Sequence, residues 1–375
     1  MERAELIALA RATGCAIERH GALFLCPPGG SASEAAQTAA VLSAPPAGDG
    51  DKGWLALRTG GTGGAVRFAR HDEATLGAAA RGCAAHFGLR RIDAVDVLPP
   101  YHVSGFMTRV RCAVTGGRHL PWEWKALEGG RRPALPAGDW AISLVPTQLQ
   151  RLLAAPGARD WLRRFAVVFV GGGPLWPELA ESAADAALRL APVYGLTETA
   201  AMVAGLLPEE FLAGRRGVGR PLPHARIDLA GDGTIRIAGA SVHRGYWPAS
   251  DASGCFATED LGRWDEHGGL HVLGRRDAVI ITGGRKVQPA DVEAALRASG
   301  EFDDVAVLGV PDAEWGEIVV ACHPPTTRPP DLARAVAALA AYQRPKRFVA
   351  VAPWPGTAAG KVNRAALLES ARRAG

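Results

Sequence analysis

Three short apolar runs constrain this chain more than anything else in it: "AVDVLPP" at 94–100, "WAISLVP" at 140–146 and "AVVFVGGG" at 166–173. Each is too short for a helix, too apolar to leave either face in water, and stopped by Pro or Gly. Runs of that kind, separated by helical stretches such as the Ala-rich segment from Asp72 to Phe87, predict a parallel sheet covered by helices on both faces. The texture changes after Gly214. There "ARIDLAGDGTIRIAG" alternates apolar and polar residues around Asp232-Gly233, a strong short hairpin signal, so a smaller antiparallel sheet is expected. Further strands are read in "GGLHVLGRRDAVIITGGRKV", "VAVLGV" and "EIVVACHP". "PADVEAALRAS", "DLARAVAALAAY" and the C-terminus read as helices, which together make a compact α+β module. Residues 1 to about 50 read as a short helix, an apolar stretch at Ala22–Cys26 and a Pro/Gly/Ser/Ala-rich connection.

Composition sets the remaining bounds. With 375 residues, 48% hydrophobic and 21% charged, the chain has material for two domains and a sizeable core. A net charge of +4 with scattered Lys and Arg argues against nucleic acid as a partner. The six cysteines lie far apart with no C-x-x-C pair, so they read as buried reduced thiols, and the ten tryptophans read as packing. No apolar run reaches membrane-spanning length and no signal-peptide pattern opens the chain, which makes the cytoplasm the expected location.

Four stretches carry candidate chemistry. "LALRTGGTGGAVRF" sets Thr59, Gly60, Gly61, Thr62, Gly63 and Gly64 between apolar residues and ends on one cation, Arg67. Its glycines bare backbone N–H groups and its threonines add hydroxyls, so it can wrap a phosphate chain. It fits neither the P-loop, since Ala65 follows Gly64, nor the dinucleotide fingerprint, since Val66 stands where the third Gly is needed. Taken alone it is equally an ordinary Gly-rich turn. "VYGLTETAAM" places Thr197 and Glu198 after Tyr194-Gly195, where the carboxylate can hold a nucleotide-bound Mg²⁺ or Thr197 can cap a helix whose dipole Glu198 favours. "ATEDLGRWDEHGGLHVLGRRDAVIITGGRKV" offers Glu259 and Asp260 as carboxylates that can accept from ribose hydroxyls with a guanidinium of Arg275 or Arg276 beside them, or else a polar hairpin with surface ion pairs. "PGTAAGKVNRAALLE" presents Lys361, which alone reads as an exposed surface lysine.

In this order and spacing, from Arg58 to Arg364, the stretches resemble the adenylate-forming superfamily of acyl-CoA synthetases, adenylation domains and luciferases. The resemblance implies an α/β adenylate-forming fold: a large AMP-binding domain over 1–276 and a small α+β lid domain over 277–375. It also implies roles. "TGGTGGAVR" looks like the phosphate loop, "GGGPL" with Gly171, Gly172 and Gly173 the adenine-side turn, and "YGLTE" the nucleotide and Mg²⁺ motif. "TED" looks like the ribose carboxylate, "GRRD" the hinge with Asp277, and "GKVNR" the motif of the catalytic lysine, Lys361. Gly283 and Gly284 would flank the pantetheine arm, with a plain hairpin turn as their alternative. His102 in "PPYHVSGF" looks like the gate of the acyl pocket, although a lone His after a strand is more often structural.

A narrower resemblance, carried by "RTGGTGGAVRFARHDEATL" and "LPPYHVSGFM", is to the short type of 2-succinylbenzoate-CoA ligase. It implies a reaction with ATP, Mg²⁺ and coenzyme A on a small carboxylic acid whose second carboxylate needs a cation. Arg109 and Arg111 are the candidates, with both as surface residues the bland alternative, and two apart on a helix at most one of them faces a pocket. Other acids, a non-catalytic nucleotide-binding relative, and loading of a carrier-protein thiol instead of free coenzyme A remain alternatives. Two departures stand out. Val66-Arg67 replaces the family's Pro-Lys, and the phosphate loop arrives by residue 59, so the usual N-terminal subdomain is shortened and homo-oligomerisation is the expected way to cover the face it leaves.

Overall fold

The computed structural model describes residues 1–29, 32–47, 52–60, 65–250, 253–356 and 362–374. Among these, four sheets organise the chain. The first runs in the order Ala16–Arg19, Ala22–Leu25, Leu55–Gly60, Val66–His71. Its last two strands are antiparallel, with Thr59 opposite Arg67 and Gly60 opposite Val66, so the glycine loop joins the tips of a hairpin.

The three apolar runs are neighbours at the centre of the second, seven-stranded sheet. Asp93–Asp96, Trp140–Leu144, Val167–Val170 and the first part of Leu190–Leu196 pair in parallel, and His119–Pro121 adds a parallel edge. The sheet also has an antiparallel edge. Ala201–Gly205 turns back antiparallel to Leu190–Leu196, followed by the short strand Arg220–Pro221. Helices cover the parallel part as the apolar runs require. Val103, Phe106, Met107 and Val110 of the helix Val103–Thr115 recur at one helical face and are buried. Helix Glu73–His86 starts where the Asp72 carboxylate accepts from the Thr75 N–H at 3.0 Å while the Asp72 N–H donates to the Thr75 hydroxyl at 3.0 Å.

The Asp232-Gly233 hairpin forms as read, with Ala225–Leu229 antiparallel to Thr234–Gly239 and Gly233 at φ +85°. Cys255–Trp264 and Leu270–Arg275 complete that sheet. The fourth sheet gathers Arg285–Val287, Ile280–Thr282, Gly316–His323 and Ala306–Asp312, with Arg347–Ala350 parallel to Gly316–His323. Helices Pro289–Ala298 and Arg364–Arg373 pack on it.

Three local readings change. The connection before the glycine loop contains a helix, Ala32–Ser43, with no buried residue. The helix read over 331–342 shrinks to Leu332–Ala335 and a 3₁₀ turn at Ala341–Gln343. All six cysteines are free, but Cys255 is exposed and Cys15 only half-buried.

Candidate functional site

The glycine hairpin, the Thr197-Glu198 turn and the stretch 242–247 meet at one place. Leu190–Leu196 ends in the 3₁₀ turn Thr197–Thr199, and Ala200 and Ala201 then adopt positive φ of +52° and +77° to reverse the chain. The helix start read as an alternative at Thr197 is therefore absent, and Glu198 sits at a strand-to-strand reversal. Gly195 permits it: a Cβ there would lie 1.9 Å from the Ala201 carbonyl oxygen.

Glu198 is 5% exposed. Its Oε1 accepts from the Thr59 hydroxyl at 3.0 Å and from the Tyr246 hydroxyl at 2.7 Å. The Arg67 guanidinium lies over the Tyr246 ring, 4.5 Å from its centroid. Burial, reinforced by the Glu198 charge and hydrogen bond, pushes the Tyr246 hydroxyl above its ordinary value, so it stays protonated and donates. Beneath the turn, the ring of buried His71 reaches the Thr197 carbonyl through Nε2 at 2.8 Å. Burial lowers the His71 pKa to about 4, which keeps the ring neutral with its proton on the nitrogen facing that carbonyl.

About the same strand end, Tyr194 donates through its hydroxyl to Oδ2 of Asp260 at 2.7 Å. Asp260 and Arg275 are register partners on adjacent strands, their charged groups 3.8 Å apart. Arg275 makes its shorter bonds to the Asp277 carboxylate, at 2.7 Å from both Nε and Nη2. Burial raises the Asp260 carboxyl above the ordinary range. Gly171–Gly173 follow Val167–Val170; a Cβ on Gly171 would meet Val193 at 2.8 Å, and Gly172 has φ +76°.

Other sequence candidates lie elsewhere. His102 caps Val103–Thr115, its Nδ1 2.9 Å from the Ser104 hydroxyl. Gly283 and Gly284, at φ +53° and +74°, form the two-residue turn between Ile280–Thr282 and Arg285–Val287. Gly61, Thr62, Gly63, Gly64 and Lys361 lie outside the described residues. The two arginines of 109–111 separate as their spacing requires. Arg111 is 3% exposed, stacked 5.8 Å from the Phe169 ring, and its Nη2 donates to the Thr108 hydroxyl at 2.9 Å and reaches the Ser143 hydroxyl at 3.4 Å. No carboxylate among the described residues pairs with it. Arg109 is only half-buried.

Sequence reasoning missed Tyr246, His71 and the ion pair of Asp72 with Arg244, whose Nε donates at 2.7 Å. "RHD" and "HRGYW" carry polar groups between apolar neighbours, but nothing local says that 71 meets 197 or that 246 meets 198.

One carboxylate and one hydroxyl suit a magnesium ion that takes most of its ligands from phosphates and water, rather than a cage built by protein alone. Among the described residues there is no group of three or more His, Cys, Asp or Glu that could hold a metal by themselves. No described helix is long and apolar enough to cross a membrane.

A family model for AMP-binding enzymes matches residues 30–247, and one for the AMP-binding enzyme C-terminal domain matches 291–361. A probable 2-succinylbenzoate-CoA ligase of Mycobacterium tuberculosis is 34% identical over 338 residues, 84% of this chain and 83% of that one. The 2-succinylbenzoate-CoA ligase of Geobacillus kaustophilus is 32% identical over 280 residues, 70% of this chain and 57% of that protein, so the chain spans little more than half of that relative's length. Among solved structures, an E. coli MenE variant with bound OSB-AMS superposes with a TM-score of 0.72 at 30% identity, covering 86% of this chain and 69% of that one. ATP-bound MatB from Rhodopseudomonas palustris gives 0.72 at 25% identity, covering 86% and 69%. The fold is that of the adenylate-forming enzymes.

Proposed function

Since the chain belongs to the AMP-binding enzyme family, we propose that it is an ATP-dependent, AMP-forming acid-CoA ligase that adenylates 2-succinylbenzoate and passes the acyl group to coenzyme A. The observation that carries the choice of acid is Arg111, a buried cation without a carboxylate partner among the described residues. A buried, unpaired guanidinium is costly unless a ligand supplies the anion. The unreacted second carboxylate of 2-succinylbenzoate is such an anion, and a monocarboxylic acid has none.

In the first half-reaction a carboxylate oxygen of the acid attacks the α-phosphate of ATP, forming acyl-AMP as the bond to pyrophosphate breaks. In the second, the coenzyme A thiolate attacks the acyl carbon and AMP leaves. No enzyme nucleophile takes part, so positioning and charge stabilisation carry the catalysis. The Thr59–Gly64 loop and Arg67 cradle the pyrophosphate, Asp260 accepts from the ribose, and Gly171–Gly173 let adenine approach the backbone. Glu198 with Thr59 would hold Mg²⁺, which neutralises phosphate charge when bound. Lys361 would serve the α-phosphate from the small domain. We place the domain division between 276 and 277, with Asp277 as hinge and Gly283-Gly284 facing the pantetheine arm after the domain turns. With ATP and coenzyme A as its substrates, the proposed enzyme would work in the cytoplasm.

The test is exchange of radiolabelled pyrophosphate into ATP with 2-succinylbenzoate, benzoate and a straight-chain acid, repeated with coenzyme A. Exchange far faster with 2-succinylbenzoate is expected. Equal rates on all acids would leave only a general acid-CoA ligase, and no exchange with any would favour a non-catalytic nucleotide-binding relative.

A further inference from the structure

Tyr246 touches both charged partners of the phosphate site, and no motif led to it. Its hydroxyl donates to Glu198 Oε1, and its ring face carries the Arg67 guanidinium. The backbone holds it there. The stretch around it runs beside Val66–His71, where the Arg244 N–H donates to the Arg70 carbonyl at 2.8 Å, the Arg70 N–H to the Gly245 carbonyl at 2.9 Å, and the Trp247 N–H to the Phe68 carbonyl at 2.9 Å. Its own position is bridged to Ala69. The Glu198 carbonyl in turn accepts from the His243 N–H at 2.8 Å. Carboxylate and tyrosine are thus fixed by the same strand edge.

The two hydrogen bonds that described residues give the Glu198 carboxylate both fall on Oε1. We propose that Tyr246 is a positioning residue with two separable parts: its hydroxyl pins Oε1 so that Oε2 alone is offered to the Mg²⁺ of the nucleotide, and its ring holds Arg67 flat beside the phosphates. This rests on the reading of Glu198 as the magnesium-holding carboxylate. The hydroxyl part acts only through the metal; the ring part acts on phosphate charge whether or not metal is present.

The experiment is calorimetric titration of the full chain with ATP, in EDTA and in excess Mg²⁺, comparing the factor by which Mg²⁺ tightens binding. Tyr246→Phe should lower that factor about tenfold, the worth of one hydrogen bond to a charged group, and leave the Kd in EDTA unchanged. Arg67→Met should do the converse, weakening ATP in EDTA severalfold while keeping the Mg²⁺ factor. Glu198→Gln is the control and should abolish most of the Mg²⁺ factor. Should Glu198→Gln behave as wild type, the magnesium reading of Glu198 fails and takes this role with it. A normal Mg²⁺ factor in Tyr246→Phe beside a lost one in Glu198→Gln overturns the role of Tyr246 alone. So does an equal loss of the factor in Arg67→Met, which would make Tyr246 mere packing.

Discussion

The Tyr194 hydroxyl donates a 2.7 Å hydrogen bond to Oδ2 of Asp260, 66 positions further along the chain. It ties the end of the parallel sheet to the small antiparallel sheet and aims the carboxylate proposed for the ribose. Burial holds the Tyr194 hydroxyl above its usual value, so the bond is always donated from the tyrosine. Tyr194→Phe keeps the packing and should raise the KM for ATP about tenfold, leaving the KM for the acid unchanged. Unchanged ATP kinetics would separate Asp260 from nucleotide binding.

His71 gives a stability signature in pH. Its pKa is about 4 in the folded chain against an ordinary 6.5. Between those values the unfolded chain binds a proton that the folded chain refuses, so stability is full above pH 6.5 and is lost as pH falls toward 4. His71→Gln can keep an N–H toward the Thr197 carbonyl but cannot titrate. Urea denaturation at pH 7 and pH 5 should find wild type losing about 2 kcal/mol more than the variant over that interval. Equal losses would mean that His71 titrates normally.

If Lys361 serves the α-phosphate as proposed, Lys361→Ala should slow adenylate formation about 10²- to 10³-fold, the cost of losing one cation that stabilises developing phosphate charge. Thioester formation from supplied acyl-AMP and coenzyme A should persist. Equal damage to both half-reactions would give the lysine another role.

Asp277 lies in the 3₁₀ turn Arg276–Ala278, its carboxylate on Arg275. Asp277→Pro fixes φ at that turn and should spare adenylation while slowing the coenzyme A step at least about tenfold. Wild-type rates in single-turnover assays of both steps would place the hinge elsewhere.

How far these elements were legible depends on how local their causes are. The parallel core was legible because burial on both faces leaves mostly apolar residues at 94–98, 140–145 and 166–170, with Asp96 and Ser143 the exceptions. The Asp232-Gly233 turn was legible because Gly233 needs its positive φ. The helix 32–43 was hidden: with no buried residue it has no apolar stripe to read, only alanine propensity. The segment 331–342 failed the other way. It is rich in alanine, and Ala335 and Leu339 pack into the core, but Leu332 stays 43% exposed, and so short a packed stretch does not sustain a long helix. In the site, Glu198, Thr59 and Asp260 were singled out by their motifs. Tyr246 and His71 act across 48 and 126 positions, contacts that topology creates and local spacing does not record.

On the proposed function Arg111 meets the second carboxylate of the acid. Arg111→Leu should raise the KM for 2-succinylbenzoate by about thirtyfold or more, the cost of leaving a buried charge unpaired, with the ATP KM nearly unchanged. Arg109→Leu should leave both within about threefold. The reverse pattern would assign the second carboxylate to Arg109.

The most direct measurement follows products by liquid chromatography and mass spectrometry after mixing the protein with Mg²⁺, ATP, coenzyme A and 2-succinylbenzoate. One AMP and one pyrophosphate should appear for each succinylbenzoyl-CoA, and benzoate in its place should give thioester at least about a hundredfold more slowly. Formation of ADP, or equal thioester from benzoate, would contradict an AMP-forming ligase selective for this dicarboxylic acid.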